Sequence, residues 1–242
     1  MLARERSHGT DRCRGGPITS SPWLRLVLPL TIASVALVAR LNGACAGGEP
    51  PALAAVANDQ ASQQALIKTA RERNAQLPDA CASATFTDTG HLVALSQPRA
   101  DSTGKLTGGA WQQSVIAAGC GAQRQLNILT LAQPDGTLRR ISLLPGTTIA
   151  DPYLQRDAIQ YAMIGAARLM ARHCHRATIV ETRFAEFEGG PVTTVPPARV
   201  ARPWREDWTV DGCGERAVVP MHFIPDPTGT TIHVSPNEVR PG

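Results

Sequence analysis

The sequence predicts an α+β protein built as a tandem pseudo-repeat, each copy one helix packed on about four antiparallel strands and tied by its own disulfide. Three observations carry this. Residues 204–230 have a weaker copy at 111–137, 93 positions earlier: Trp111 aligns with Trp204, Gly119-Cys120-Gly121 with Gly212-Cys213-Gly214, and Gly136-Thr137 with Gly229-Thr230. The same shift carries Cys81 onto Cys174, and Ala84, Thr85 and Thr89 onto Ala177, Thr178 and Thr182. Beyond residue 46, all four cysteines and two of the three tryptophans fall into register, which common residues alone do not produce. Finally, each copy opens with an amphipathic helical stretch and continues in strand-length apolar runs separated by turn residues.

Residues 1–46 read as a secretory signal peptide. A polar stretch with Arg4, Arg6, Arg12 and Arg14 precedes an apolar run at 26–39, closed by Arg40. That run is short for a membrane span and suits a signal-peptide core. Ala44-Cys45-Ala46 follows as a small-x-small cleavage pattern. An uncleaved N-terminal anchor and a lipoprotein modified at Cys45 are the alternatives, the latter disfavoured by Asn42 where a branched apolar residue is usual. No membrane span is expected after this leader.

Charge divides at the same place. Residues 1–46 hold six arginines against two acidic residues, and the rest holds 18 of each sign. The basic character therefore belongs to the leader, and a neutral mature chain offers no electrostatic footprint for nucleic acid. Aromatic residues make up 4 % of the chain, so a protein partner from the cell envelope is expected. Nothing in the sequence specifies an oligomeric state.

An even number of cysteines in an exported chain reads as a disulfide framework. Equal spacing within the copies selects Cys81–Cys120 and Cys174–Cys213 over a cross-copy pairing.

Residues 47–58, rich in Gly, Pro and Ala, are expected to be a loose N-terminus. The first copy then spans 59–149. Asp59 caps a helix to about residue 77, which Pro78 ends. Extended segments are expected at 84–88 and 91–95, a Gly/Ser/Thr/Pro loop at 96–110, and strands at 111–118, 125–131 and 138–144. Pro134-Asp135-Gly136 marks a tight hairpin turn. The second copy spans 150–242. Asp151-Pro152 starts a helix expected to reach residue 172, followed by strands at 178–187, 204–210, 217–224 and 231–234, with a Pro-rich linker at 189–203. Gly119, Gly121, Gly212 and Gly214 flank cysteines and suit turns that need positive φ. The element order resembles that of cystatin-like folds, a likeness that implies a helix laid on a curled antiparallel sheet and no particular activity.

Two constellations could carry chemistry. Trp204, Glu206 and Trp208 share one strand face at period two, where a carboxylate between indoles could serve as a general acid or a sugar-stacking site. His173 and His175 around Cys174, with His222 and His233, could hold zinc or copper, although a bridged Cys174 supplies no thiolate. Nucleophile elbows, HExxH motifs and phosphate-cradling glycine loops are absent. The expected function is an exported, non-catalytic envelope protein, a binding module or accessory subunit acting through a sheet face or edge, without a cofactor. A secreted hydrolase or glycan-active protein using Glu206, and a periplasmic metal-handling protein, are the alternatives.

Overall fold

The computed structural model describes residues 51–171, 174, 176–189 and 202–242. The expected leader, most of the Pro-rich linker, His173 and His175 lie outside them. Over these described residues the protein is mixed α+β, mostly strand, with two antiparallel sheets, few helices and two disulfides. Among the described residues no helix is long and apolar enough to cross a membrane.

The first half comprises α1 (Pro51–Asn58), α2 (Gln60–Ala75) and a sheet of β1 (Thr85–Ala100), β2 (Leu106–Gly119), β3 (Ala122–Ala132) and β4 (Leu138–Ser142) in that spatial order. Asp59 caps α2 as expected, its carboxylate accepting the Ser62 N–H at 2.7 Å. Leu66, Ala70 and Leu77 then line up at helical spacing and pack on Val115, Leu126 and Ile128. Burying a leucine such as Leu66 contributes about 2 kcal/mol.

The second half comprises α3 (Pro152–Ala166) and a sheet of β5 (Ala177–Phe187), β6 (Trp204–Gly212), β7 (Glu215–Asp226) and β8 (Gly229–His233), with the short β9 (Arg240–Pro241) also pairing β7. Small residues let α3 lie close to the sheet: Ala158, Ala162 and Ala166 are fully buried. A Cβ on Gly165 would stand 2.8 Å from a Val219 methyl. Beneath the helix, Trp204 stacks on Phe223 with ring centroids 4.8 Å apart, and Trp208, Val219 and Met221 complete the core.

Several expectations need correction. Residues 51–58, expected to be loose, form α1, because Leu53 is buried with Leu106, Trp111 and Ala132. Residues 96–110 are not a loop. β1 runs on to Ala100 and β2 begins at Leu106, with a turn held by Asp101, whose carboxylate accepts the Thr103 and Lys105 N–H groups. Pro98 lies at a register shift of β1, and at Gly109, whose φ is 117°, a Cβ would come within 2.7 Å of Pro98 Cα, so the paired strands approach where only glycine fits. The second helix stops at Ala166, before the expected residue 172. Its last N–H groups switch to the tighter i−3 pattern at Arg168 and Leu169, and Glu215 takes the Ala171 N–H at 2.6 Å as the chain turns toward Cys174. The terminal β9 was not anticipated; its two residues are too few to give a period.

Both predicted disulfides are present, Cys81–Cys120 and Cys174–Cys213, each separated by 39 residues. Each hairpin turns in two residues, Cys120-Gly121 between β2 and β3 and Cys213-Gly214 between β6 and β7. All four have positive φ, at 50° and 76° in the first turn and 56° and 80° in the second, the backbone of a type I′ hairpin. Gly119 and Gly212 do a different job from the one expected. Their φ is ordinary, but a Cβ would meet Ala84 Cα and Ala177 Cα respectively at 2.9 Å.

The connection after β4 belongs to both halves. The Leu143 and Gly146 N–H groups donate to the β3 carbonyls of Asn127 and Gln125, while Thr182 of β5 donates to Pro145 and accepts from Thr147. Asn127 is buried, and its amide donates to the carbonyls of Leu144 and Gly146 at 2.9 and 2.8 Å. What reads as a short linker is thus a shared ladder.

Candidate functional site

Alternation along β6 sends 204, 206, 208 and 210 toward α3 and 205, 207, 209 and 211 to the opposite face. The first set holds the tryptophan–acid constellation. Glu206 is 0 % exposed, and so is Trp208, while Trp204 is 3 % exposed. Three donors converge on the carboxylate: Trp204 Nε1 at 2.9 Å and the Ile149 N–H at 3.0 Å reach Oε1, and Trp208 Nε1 reaches Oε2 at 2.8 Å. The indoles are core side chains whose N–H groups need a partner, and Glu206 supplies it while pinning the shared connection at Ile149. The first sheet carries a reduced version, in which Trp111 Nε1 donates to buried Gln113 at 3.1 Å.

The opposite face of the second sheet is charged. Asp207, 5 % exposed, accepts Arg183 and Arg240 on one oxygen at 2.8 and 2.9 Å and Arg205 on the other at 3.1 Å. Burial pushes its carboxyl up, but the hydrogen bond from Arg183 and the charges of Arg240 and Arg205 outweigh that and hold it below the usual aspartate value. Nothing in the sequence singles out Asp207 except its place beside Glu206 on the alternate face.

His222 lies on the same face. Its Nδ1 is 2.7 Å from Glu188 and its Nε2 is 2.9 Å from Glu238. Burial favours the neutral ring, yet the bonds to Glu238 and Glu188 prevail and raise the imidazole above its usual value. His233 of β8 pairs across from it with ring centroids 6.0 Å apart. Both His222 nitrogens are already engaged, and of the four proposed metal-ligand histidines His222 and His233 are brought together while His173 and His175 lie outside the described residues. Among the described residues no group of three or more His, Cys, Asp or Glu is disposed to hold a metal ion.

No protein-family model, no curated protein and no solved structure matches this chain. The geometry therefore carries the functional reading alone.

Two hollows went unread in the sequence, both over first-sheet residues that alternate with those facing α2, the second also reached by Arg73 of α2. One, of about 850 Å³, lies over Gln112, Ser114 and Gln125 beside residues 147–151. The other, of about 630 Å³, lies between Leu129, Leu131, Ile141 and Leu143 and the start of α3. Their signal was present as apolar residues on both faces of β3, a pattern that marks a strand covered on two sides.

Proposed function

We propose that the protein is an exported, non-catalytic binding module or accessory subunit of the cell envelope, whose partner is another envelope protein. The observation that carries this is the state of Glu206. With no exposed surface and three donors on its two oxygens, it offers nothing to a sugar or a water, so the acid works as a structural anchor. Export is supported by the two disulfides, which persist in oxidising compartments, and we assign residues 1–46 as the cleaved signal.

We further read the two halves as a duplication of one cystatin-like unit. Support comes from the matching Cys-Gly turns, the equal disulfide separations and the Trp-to-i+2 hydrogen bond in both sheets. Divergence would have turned the Gln113 position into the Glu206 position when the second copy gained Trp208 as an extra donor.

Partner contact is assigned to β1, a 16-residue edge strand on which Val93 is 41 % exposed. Edge strands offer main-chain groups to an incoming strand. A photoreactive side chain at Val93 in the exporting cell is expected to yield a discrete adduct with an exported protein, and one at Lys68 on α2 is not. Adducts at neither position, or equally at both, would count against this assignment.

A further inference from the structure

The hollow beside α3 has the composition of a ligand site. Leu129 and Leu131 alternate along β3 with Leu126 and Ile128, which face α2, so they point the other way. Ile141 pairs with Leu129 across the ladder and Leu143 follows two positions later, which puts all four on one face. None of the four belongs to a packed core cluster, and each is only half-buried. Ile159 closes the far wall. Aliphatic side chains converging on an open space of about 630 Å³ fit a drug-sized or chain-like apolar ligand.

Arg73 is the described residue that α2 contributes to this lining. Its Nε is buried without a hydrogen-bond partner, and among the described residues its guanidinium makes no ion pair. Burial and the nearby Arg124 both work against its charge. Arg124 is itself neutralised by Asp79 at 2.6 Å, whereas Arg73 has no such counterpart among the described residues. A half-buried cation with an orphaned donor beside an aliphatic wall lacks an anion. At the rim, Arg156 holds Asp157 and covers the Tyr153 ring, so its charge is already partnered.

We propose that this hollow binds a single-chain anionic amphiphile, a monomeric long-chain fatty acid, with its carboxylate on Arg73 and its alkyl chain along Leu129, Leu131, Ile141 and Leu143. Charge complementarity selects the carboxylate over a neutral head. The open aliphatic wall selects one chain rather than a compact polar metabolite. Leu95 and Ser96 of β1 also line this hollow, but the proposal rests on Arg73 and the aliphatic wall and stands or falls without the partner contact assigned to β1.

The test uses the oxidised mature chain and palmitate below its micellar concentration, followed by displacement of a dansyl-labelled fatty acid. Saturable one-to-one binding is expected, with hexadecanol and hexadecyltrimethylammonium at least tenfold weaker. Arg73→Met should weaken palmitate at least tenfold and Arg73→Lys should recover most of that, while Arg71→Gln on the same helix leaves it unchanged. Ile141→Trp, which fills the hollow from a half-exposed position, should abolish binding without lowering the urea midpoint. The proposal is overturned by no saturable binding, by equal affinity for hexadecanol, or by Arg73→Met binding like wild type. Association with phosphatidylglycerol vesicles in place of monomeric palmitate would also overturn it.

Discussion

At Glu206, three N–H donors meet two carboxylate oxygens, and exchanging one oxygen for an amide turns a donor against a donor. Glu206→Gln should cost about 1–3 kcal/mol, the range for orphaning a buried polar group. A fall in the urea midpoint with unchanged slope would show it, and a midpoint equal to wild type would remove the anchoring role. Spacing placed Trp204, Glu206 and Trp208 on one strand face, but period two does not say which face is inward. That depended on α3 covering the even positions, so an apparent site became a core contact. His222 titrates in a readable window. Its folded-state value is raised, so the stability it contributes is full below the ordinary 6.5 and is lost as pH climbs through the folded value. Glu238, held low by the bond from His222, contributes in the opposite sense, losing its share as acid protonates it. Arg205 on β6 and His233 on β8 also face the ring, so His222→Gln is the cleaner probe. It should flatten the decline of the urea midpoint from about pH 6.5 upward, and an unaltered pH profile would mean that the clasp contributes nothing.

Within one hairpin, Gly212 and Gly214 flank the same cysteine and are required for different reasons. Gly214 sits at φ 80° with open space around it, so alanine there meets only backbone strain, about 1–2 kcal/mol, and asparagine, which tolerates this conformation, should recover much of it. Gly212 has ordinary φ but lies under Ala177, so alanine and asparagine should both be worse than wild type, asparagine the more so. Urea midpoints of the four variants decide it: rescue by asparagine at 212, or none at 214, would reverse the assignment. This division was hidden in the sequence, where both read as turn glycines. Caps and breakers were legible because they act locally, as Asp59, Pro78, Asp151 and Pro152 did. The span from Ser96 to Ala110 was not, because Gly109 answers to the neighbouring strand at Pro98. The end of α3 was likewise set from a distance, by Glu215 and the Cys174–Cys213 bridge.

Across the whole molecule, the halves have separate cores and separate disulfides, and the ladder at Pro145–Thr147 joins them. The register of the cysteines revealed the bridges, since equal loops needed no tertiary knowledge. Each closes a loop of 39 residues, and its removal should cost about 4 kcal/mol in the chain-entropy model. The junction was read only as a short link, because its partners, Asn127 and Thr182, lie far away along the chain. Gly146 is the residue on which that junction turns. Its φ is 106°, and any Cβ would collide with the Thr182 carbonyl oxygen. Gly146→Ala must therefore push residues 145–147 off β5, releasing the Thr182 bonds and pulling Ile149 from Glu206, while leaving both helix–sheet cores intact. Two probes separate the outcomes. Trp204 with Trp208 reports the second half in a Trp111→Phe background of the mature chain, and amide exchange of the β3 N–H groups reports the first, so each signal is read without disturbing the donors on Glu206. In the Gly146 background the two urea transitions should part and each show a smaller slope, as expected when one cooperative unit becomes two. Coincident transitions with the wild-type slope would mean that the halves are held together elsewhere, with the Asp79–Arg216 contact at 3.5 Å the next bond to cut.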